Sequence, residues 1–129
     1  MQHVPASRLP PFVLLALLAA ACSTKLEQPR SYLVYFDTDS AALTQDGQRI
    51  VGTIADAAKG VSPTKVAVAG RADGNTAHDA ALASERAAAV MQALVQKGVP
   101  ASKLEKEADA PPSGRTGIAA HQVVVTLLP

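Results

Sequence analysis

Lys65-Val66-Ala67-Val68-Ala69-Gly70-Arg71-Ala72-Asp73-Gly74-Asn75, with the long stretch from Ala77 to Lys97 behind it, decides the fold. The first six residues read as a β-strand, and the next five are loop by composition. Ala83, Ala87, Val90, Met91 and Leu94 then recur at helical spacing and predict the buried face of the longest helix. Gly98 and Pro100 end it. A strand feeding a long helix through a five-residue loop is one half of a layered α/β arrangement.

Working outward, Tyr32-Leu33-Val34-Tyr35-Phe36 reads as an earlier strand, closed by the acidic turn Asp37-Thr38-Asp39-Ser40. Leu43-Thr44-Gln45-Asp46 is a helix start, with Thr44 as N-cap and Asp46 favourably placed in the first turn. Ile50, Ile54, Ala57 and Ala58 follow as an apolar stripe that stops at Gly60. Downstream, Ser102-Lys103-Leu104-Glu105 predicts a helical turn, with a short strand in the next few residues. Ala110 to Gly117 is loop, and Gln122-Val123-Val124-Val125-Thr126-Leu127 is a closing strand. The economical solution is α+β: a β/α/β/α/β two-layer sandwich with helices packed on a small mixed sheet.

The chain has 129 residues, enough for one domain. A formal net charge of +1 gives no basic excess for a phosphate backbone, and with no Trp and 3% aromatics no base-stacking platform exists, so nucleic acid is excluded as a partner. Hydrophobic residues reach 48%, but 26 of them are Ala. The single cysteine, Cys22, permits neither an internal disulfide nor a thiolate zinc site. His78 and His121 lack ligand spacing, so no metal and no cofactor are expected.

Phe12 to Ala21 is an unbroken apolar run behind a segment whose one formal charge is Arg8. A helix of that run covers roughly 15 Å, half a bilayer core, which fits a signal-peptide h-region. Leu18-Ala19-Ala20-Ala21-Cys22 resembles a bacterial lipobox, with Leu one place earlier than usual. The expectation is a lipoprotein signal peptide over 1–21, a lipidated Cys22 with a short tether over 22–30, and a folded domain over 31–129. Removing Arg8 leaves equal numbers of acidic and basic side chains, so anchoring would rest on acyl chains rather than on a basic patch.

Three segments carry a family resemblance: Tyr35-Phe36-Asp37-Thr38-Asp39-Ser40-Ala41-Ala42-Leu43-Thr44, Val66 to Asp73, and Ala81-Leu82-Ala83-Ser84-Glu85-Arg86-Ala87 with Lys97-Gly98-Val99-Pro100 behind it. Together, in this order, they resemble the OmpA-like domain family of the peptidoglycan-associated lipoprotein type, as a divergent member. The resemblance implies a domain that holds peptidoglycan non-covalently by the diaminopimelate group of its stem peptide. That ligand is a zwitterion and demands one fixed anion and one fixed cation. The resemblance puts the anion at Asp73 and the cation at Arg86, whose planar fork suits a carboxylate. Asn75 and Asp79 join the implied peptidoglycan-binding set near the helix start, although Thr76-x-x-Asp79 is also a capping-box pattern. Arg86 has a plainer alternative as a residue paired with Asp73 or solvated on an exposed face. Arg71 replaces a family His and reads as a surface residue.

The implied function is an outer-membrane lipoprotein, facing the periplasm, that tethers the wall to the membrane. Against it stand Ala72 where the family has Thr, a spacing from Asp73 to Asp79 of six residues where the family usually has eight, and the loss of the family's late arginines. These departures support an alternative: a degenerate scaffold that acts through envelope protein partners without binding wall. No nucleophile elbow, Cys–His pair or phosphate loop appears, so an enzyme is not expected.

Overall fold

A computed structural model describes residues 25–72, 76–107 and 121–129. The expected signal peptide over 1–21, Cys22, Asp73, Asn75 and the expected loop over Ala110 to Gly117 lie outside the described residues.

The elements run β1 (Arg30–Tyr35), α1 (Gln45–Val61), β2 (Lys65–Gly70), α2 (Ala77–Gln96), a 3-10 turn (Ala101–Lys103), β3 (Leu104–Lys106) and β4 (Gln122–Leu128). The sheet order is β1-β4-β2-β3. β4 is antiparallel to both neighbours, with Arg30 opposite Leu127 and Lys65 opposite Leu128. β3 pairs parallel to β2, with Val66 opposite Leu104. The sheet is therefore mixed, as expected.

This topology fixes where loops meet. β1 and β2 run in the same direction on either side of β4, so their C-terminal ends emerge together at one pole. Phe36 N–H donates to the His121 carbonyl at 2.7 Å, and Arg71 N–H donates to the Gln122 carbonyl at 2.9 Å, closing that pole. At the other pole Thr64 N–H donates to the Leu128 carbonyl at 3.0 Å.

The core lies between the helices and one sheet face. Val34, Val66, Val68, Val123, Val125 and Leu127 bury completely from the strands, against Val51 and Ile54 of α1 and Ala87, Val90 and Leu94 of α2. Met91, expected inside, is only half-buried at the margin. The face of α1 includes Val51 and Ala55 as well as Ile54 and Ala58, with Ile50 and Ala57 towards its edge. Leu26 is 4% exposed and belongs to the same core, so packed structure reaches back into the 22–30 segment.

Thr44 caps α1 as its sequence predicts, its hydroxyl accepting from Gly47 N–H at 3.0 Å. The one misplaced element follows α2. The turn comes earlier than expected, at Ala101–Lys103, and Leu104 and Glu105 already belong to β3. Parallel pairing to β2 recruits those residues into the sheet, and three residues carry too short a pattern for periodicity to reveal.

Candidate functional site

Gly70 sets the site's geometry. A methyl group on its α-carbon would lie 1.9 Å from the Ala83 carbonyl oxygen, so the end of β2 touches the backbone of α2. Only glycine allows that approach, and the small Ala83 and Ala87 on the facing helix complete it. The crossing brings the middle of α2 under the loops at the C-terminal ends of β1 and β2.

Arg86 projects from that stretch and is fully buried. Helical side chains lean towards the N-terminus, which here is the loop-bearing pole. Its Nε donates to the Ser40 carbonyl at 2.8 Å, one terminal nitrogen to the Asp37 carbonyl at 3.0 Å, and the other to the Arg71 carbonyl at 3.1 Å. Its Cζ lies 5.6 Å from the centroid of the Phe36 ring, within cation–π range. One guanidinium thus ties the β1–α1 loop to the end of β2 and satisfies three carbonyls that no strand or helix ladder serves. The solvated alternative for Arg86 is thereby excluded: a charge with three hydrogen bonds and an aromatic neighbour tolerates complete burial.

Asp79 opens α2. Its N–H donates to the Thr76 hydroxyl at 3.1 Å, and its Oδ2 accepts from Thr76 N–H at 3.3 Å and from the Thr76 hydroxyl at 2.5 Å. This is the reciprocal capping box that the Thr76-x-x-Asp79 spacing announced. Asp79 therefore holds the helix start while keeping its charge at this pole. Asp73 and Asn75 fall between Ala72 and Thr76 in sequence and lie outside the described residues.

Around Arg86 and Asp79 the pole is acidic. Asp37 and Asp39 are exposed on the β1–α1 loop, and Asp39 reaches across to His78 on α2, Oδ1 to Nε2, at 3.8 Å. Both partners are over 70% exposed, so this contact contributes little to stability. A cleft of about 620 Å³ opens beside Asp37, between Tyr35, Thr44, Asp46 and Arg49. Sequence reading underrated Arg71. Its side chain is half-buried, and its Nε is buried without a hydrogen-bond partner among the described residues. The signal was its position, directly after β2 and two residues before Asp73.

Exposed carboxylates thus stand at this pole over a buried guanidinium that three carbonyls hold in place. Among the described residues, no cluster of three or more His, Cys, Asp and Glu side chains could hold a metal ion.

The model of the OmpA family matches residues 35–118. A protein named outer membrane protein from Gluconacetobacter diazotrophicus is 33% identical over an alignment of 84 residues that covers 59% of this chain and 22% of that protein. The chain thus spans about a fifth of the length of the curated relative it matches. The OmpA-like domain of FopA1 from Francisella tularensis superposes with a TM-score of 0.66 at 18% identity, covering 80% of this chain and 75% of that one. The peptidoglycan-associated lipoprotein of Burkholderia pseudomallei gives 0.60 at 24% identity, covering 72% and 86%. The periplasmic domain of Helicobacter pylori MotB gives 0.62 at 21%, covering 81% and 83%. These likenesses establish the fold.

Proposed function

The chain belongs to the OmpA family, and on that premise we propose that it is an outer-membrane lipoprotein whose domain binds peptidoglycan non-covalently and tethers the wall. The ligand is the diaminopimelate group of the stem peptide. Asp73 receives its ammonium, and Arg86 supplies the fixed positive charge for its carboxylate. Asn75 and the N–H groups at the start of α2 add anion contacts. Asp79 caps that helix and adds negative charge beside the ammonium. Cys22 carries the lipid, and the domain faces the periplasm. The reading includes no catalytic step.

The observation that carries this reading is Arg86: a buried guanidinium held by three carbonyls beneath an acidic rim. Held by those carbonyls, it is a fixed positive charge that need not be ordered on binding. The test is co-sedimentation of residues 23–129 with diaminopimelate-type sacculi, beside Asp73→Asn. Asp73→Asn changes charge with little change of shape and is expected to abolish saturable binding. Equal binding by wild type and variant would overturn the assignment.

A second reading has its own support. β1 lies at the edge of the described sheet, and Leu33 and Tyr35 on it are 39% and 41% exposed. Large apolar side chains on an edge strand suit a protein partner. If the domain serves an envelope assembly instead of the wall, crosslinking from Leu33 should capture a protein, and wild type should stay in the supernatant with sacculi.

A further inference from the structure

Among the described residues, five cations gather at the pole opposite the candidate site, whereas Arg71 and Lys106 lie towards the site, after β2 and at the end of β3. Arg30 opens β1 and Lys65 opens β2, both beside the C-terminal end of β4. Lys59 lies in the last turn of α1, Lys97 caps α2, and Lys103 closes the 3-10 turn. Lys65 pairs with Glu105 at 2.5 Å. Among the described residues, Arg30, Lys59, Lys97 and Lys103 have no ion-pair partner. The opposing acids are Glu105, Glu27 near the start of the described chain, and Asp56 one turn up α1.

Lysines at helix C-termini have an ordinary role, since they complement the negative end of the helix dipole. That covers Lys59 and Lys97 but neither Arg30 nor Lys103. Lys59 and Lys103 also flank a concavity of about 240 Å³, floored by Pro63, Val66, Gly98 and Val99. Gly98 has φ of 99°, and the Lys59 Cε and Nζ lie 3.2 Å from where its side chain would begin, so the ammonium lies across the rim.

Position supplies the partner. The described chain begins at Lys25, three residues after Cys22 and five before Arg30, and the apolar run Phe12 to Ala21 ends just ahead of it. A lipid on Cys22, as in the proposed function, would hold this pole beside the lipid headgroups.

We propose that the basic pole docks on anionic phospholipid headgroups, so that the domain stands on the bilayer with its acidic pole facing away. The surface is Arg30, Lys59, Lys97 and Lys103, with the concavity between Lys59 and Lys103 admitting a headgroup phosphate. The six residues of β1 separate the poles by about 20 Å. This rests on the membrane attachment in the proposed function only for its direction of approach. The charge pattern stands without it.

The chain contains no Trp, which allows single reporters. Ser102→Trp marks the basic pole and Thr38→Trp the acidic one. The full chain is reconstituted with brominated phosphatidylcholine vesicles, with or without about 30% phosphatidylglycerol, a content chosen to give a surface potential of the physiological order. The expected result is quenching of Ser102→Trp only in anionic vesicles, none of Thr38→Trp, and loss of quenching in 1 M salt. Adding Arg30→Gln and Lys103→Gln, which touch neither helix end, should shift the docking equilibrium about fivefold per side chain. Circular dichroism checks that the fold is retained. Equal quenching with and without phosphatidylglycerol, or at both poles, overturns the proposal, as does protection of Ser102→Trp by wall fragments in place of lipid. Flotation with purely neutral vesicles reads the anchor separately: its loss would refute the anchor and leave the quenching comparison in anionic vesicles intact.

Discussion

At the scale of single residues, Arg86 and Gly70 do related work. Arg86 stands in a helix interior, and its position alone gives no sign that three carbonyls from two loops converge on it. Replacing it with Met keeps the bulk and removes the donor from the Ser40 and Arg71 carbonyls, while the Asp37 carbonyl keeps the Ser40 N–H at 3.2 Å. Each uncompensated group costs about 1–3 kcal/mol, so a loss of about 3–5 kcal/mol is expected by urea denaturation. Arg86→Lys should recover only part of this, because a single ammonium cannot reproduce the planar fork. Gly70→Ala is expected to be strongly destabilising, since its methyl would collide with backbone rather than with a movable side chain. Gly52 makes the control: it lies inside α1 with open space around its α-carbon. Gly52→Ala should stabilise by about 0.5–1 kcal/mol, and thermal melts of the two variants should move in opposite directions.

At the scale of elements, the helices were legible in the sequence, and the third strand was legible in existence but not in its bounds: it was expected after Glu105 and forms at Leu104–Lys106. Thr44 and Thr76 announce their helices through short-range chemistry that depends on a few neighbouring residues, and both caps form. Thr76→Ala removes the capping box and is expected to cost about 1 kcal/mol, with faster amide exchange in the first turn of α2. β3 has three residues and takes those bounds because β2 offers it a parallel edge, a long-range cause that no local pattern encodes. Phe36 shows the same limit. It continues the apolar run of β1, yet β1 ends at Tyr35, and Phe36 turns inward as a buried neighbour of Arg86. The resemblance located Arg86. Its burial, its three acceptors and the half-buried state of Arg71 required the fold.

At the scale of the whole molecule, composition concealed a separation of charge. Equal numbers of acidic and basic side chains after Arg8 suggested no basic patch, but the topology sends Asp37, Asp39 and Asp79 to one pole and Arg30, Lys59, Lys97 and Lys103 to the other. The core also extends further towards the N-terminus than the polar composition of 22–30 implied. Leu26 is a core residue, and Leu26→Ala should cost about 2–4 kcal/mol in a urea titration. Cys22 and Leu26 are then separated by about 14 Å at full stretch. A lipid on Cys22 would hold the domain against its membrane with the acidic pole outward. The Lys65–Glu105 pair is too exposed to affect this. Glu105, by hydrogen bonding and then by charge, raises the Lys65 pKa, so the pair's contribution persists through neutral pH and fades only as pH rises through the lysine range.

The most direct measurement compares the binding of residues 23–129 to sacculi carrying diaminopimelate with binding to walls carrying lysine at the same stem position. Lysine keeps the ammonium and lacks the second carboxylate, so a site built from Asp73 and Arg86 should bind the first saturably and the second weakly, with free diaminopimelate competing. Equal binding to both walls, or none to either, would contradict recognition of the zwitterion.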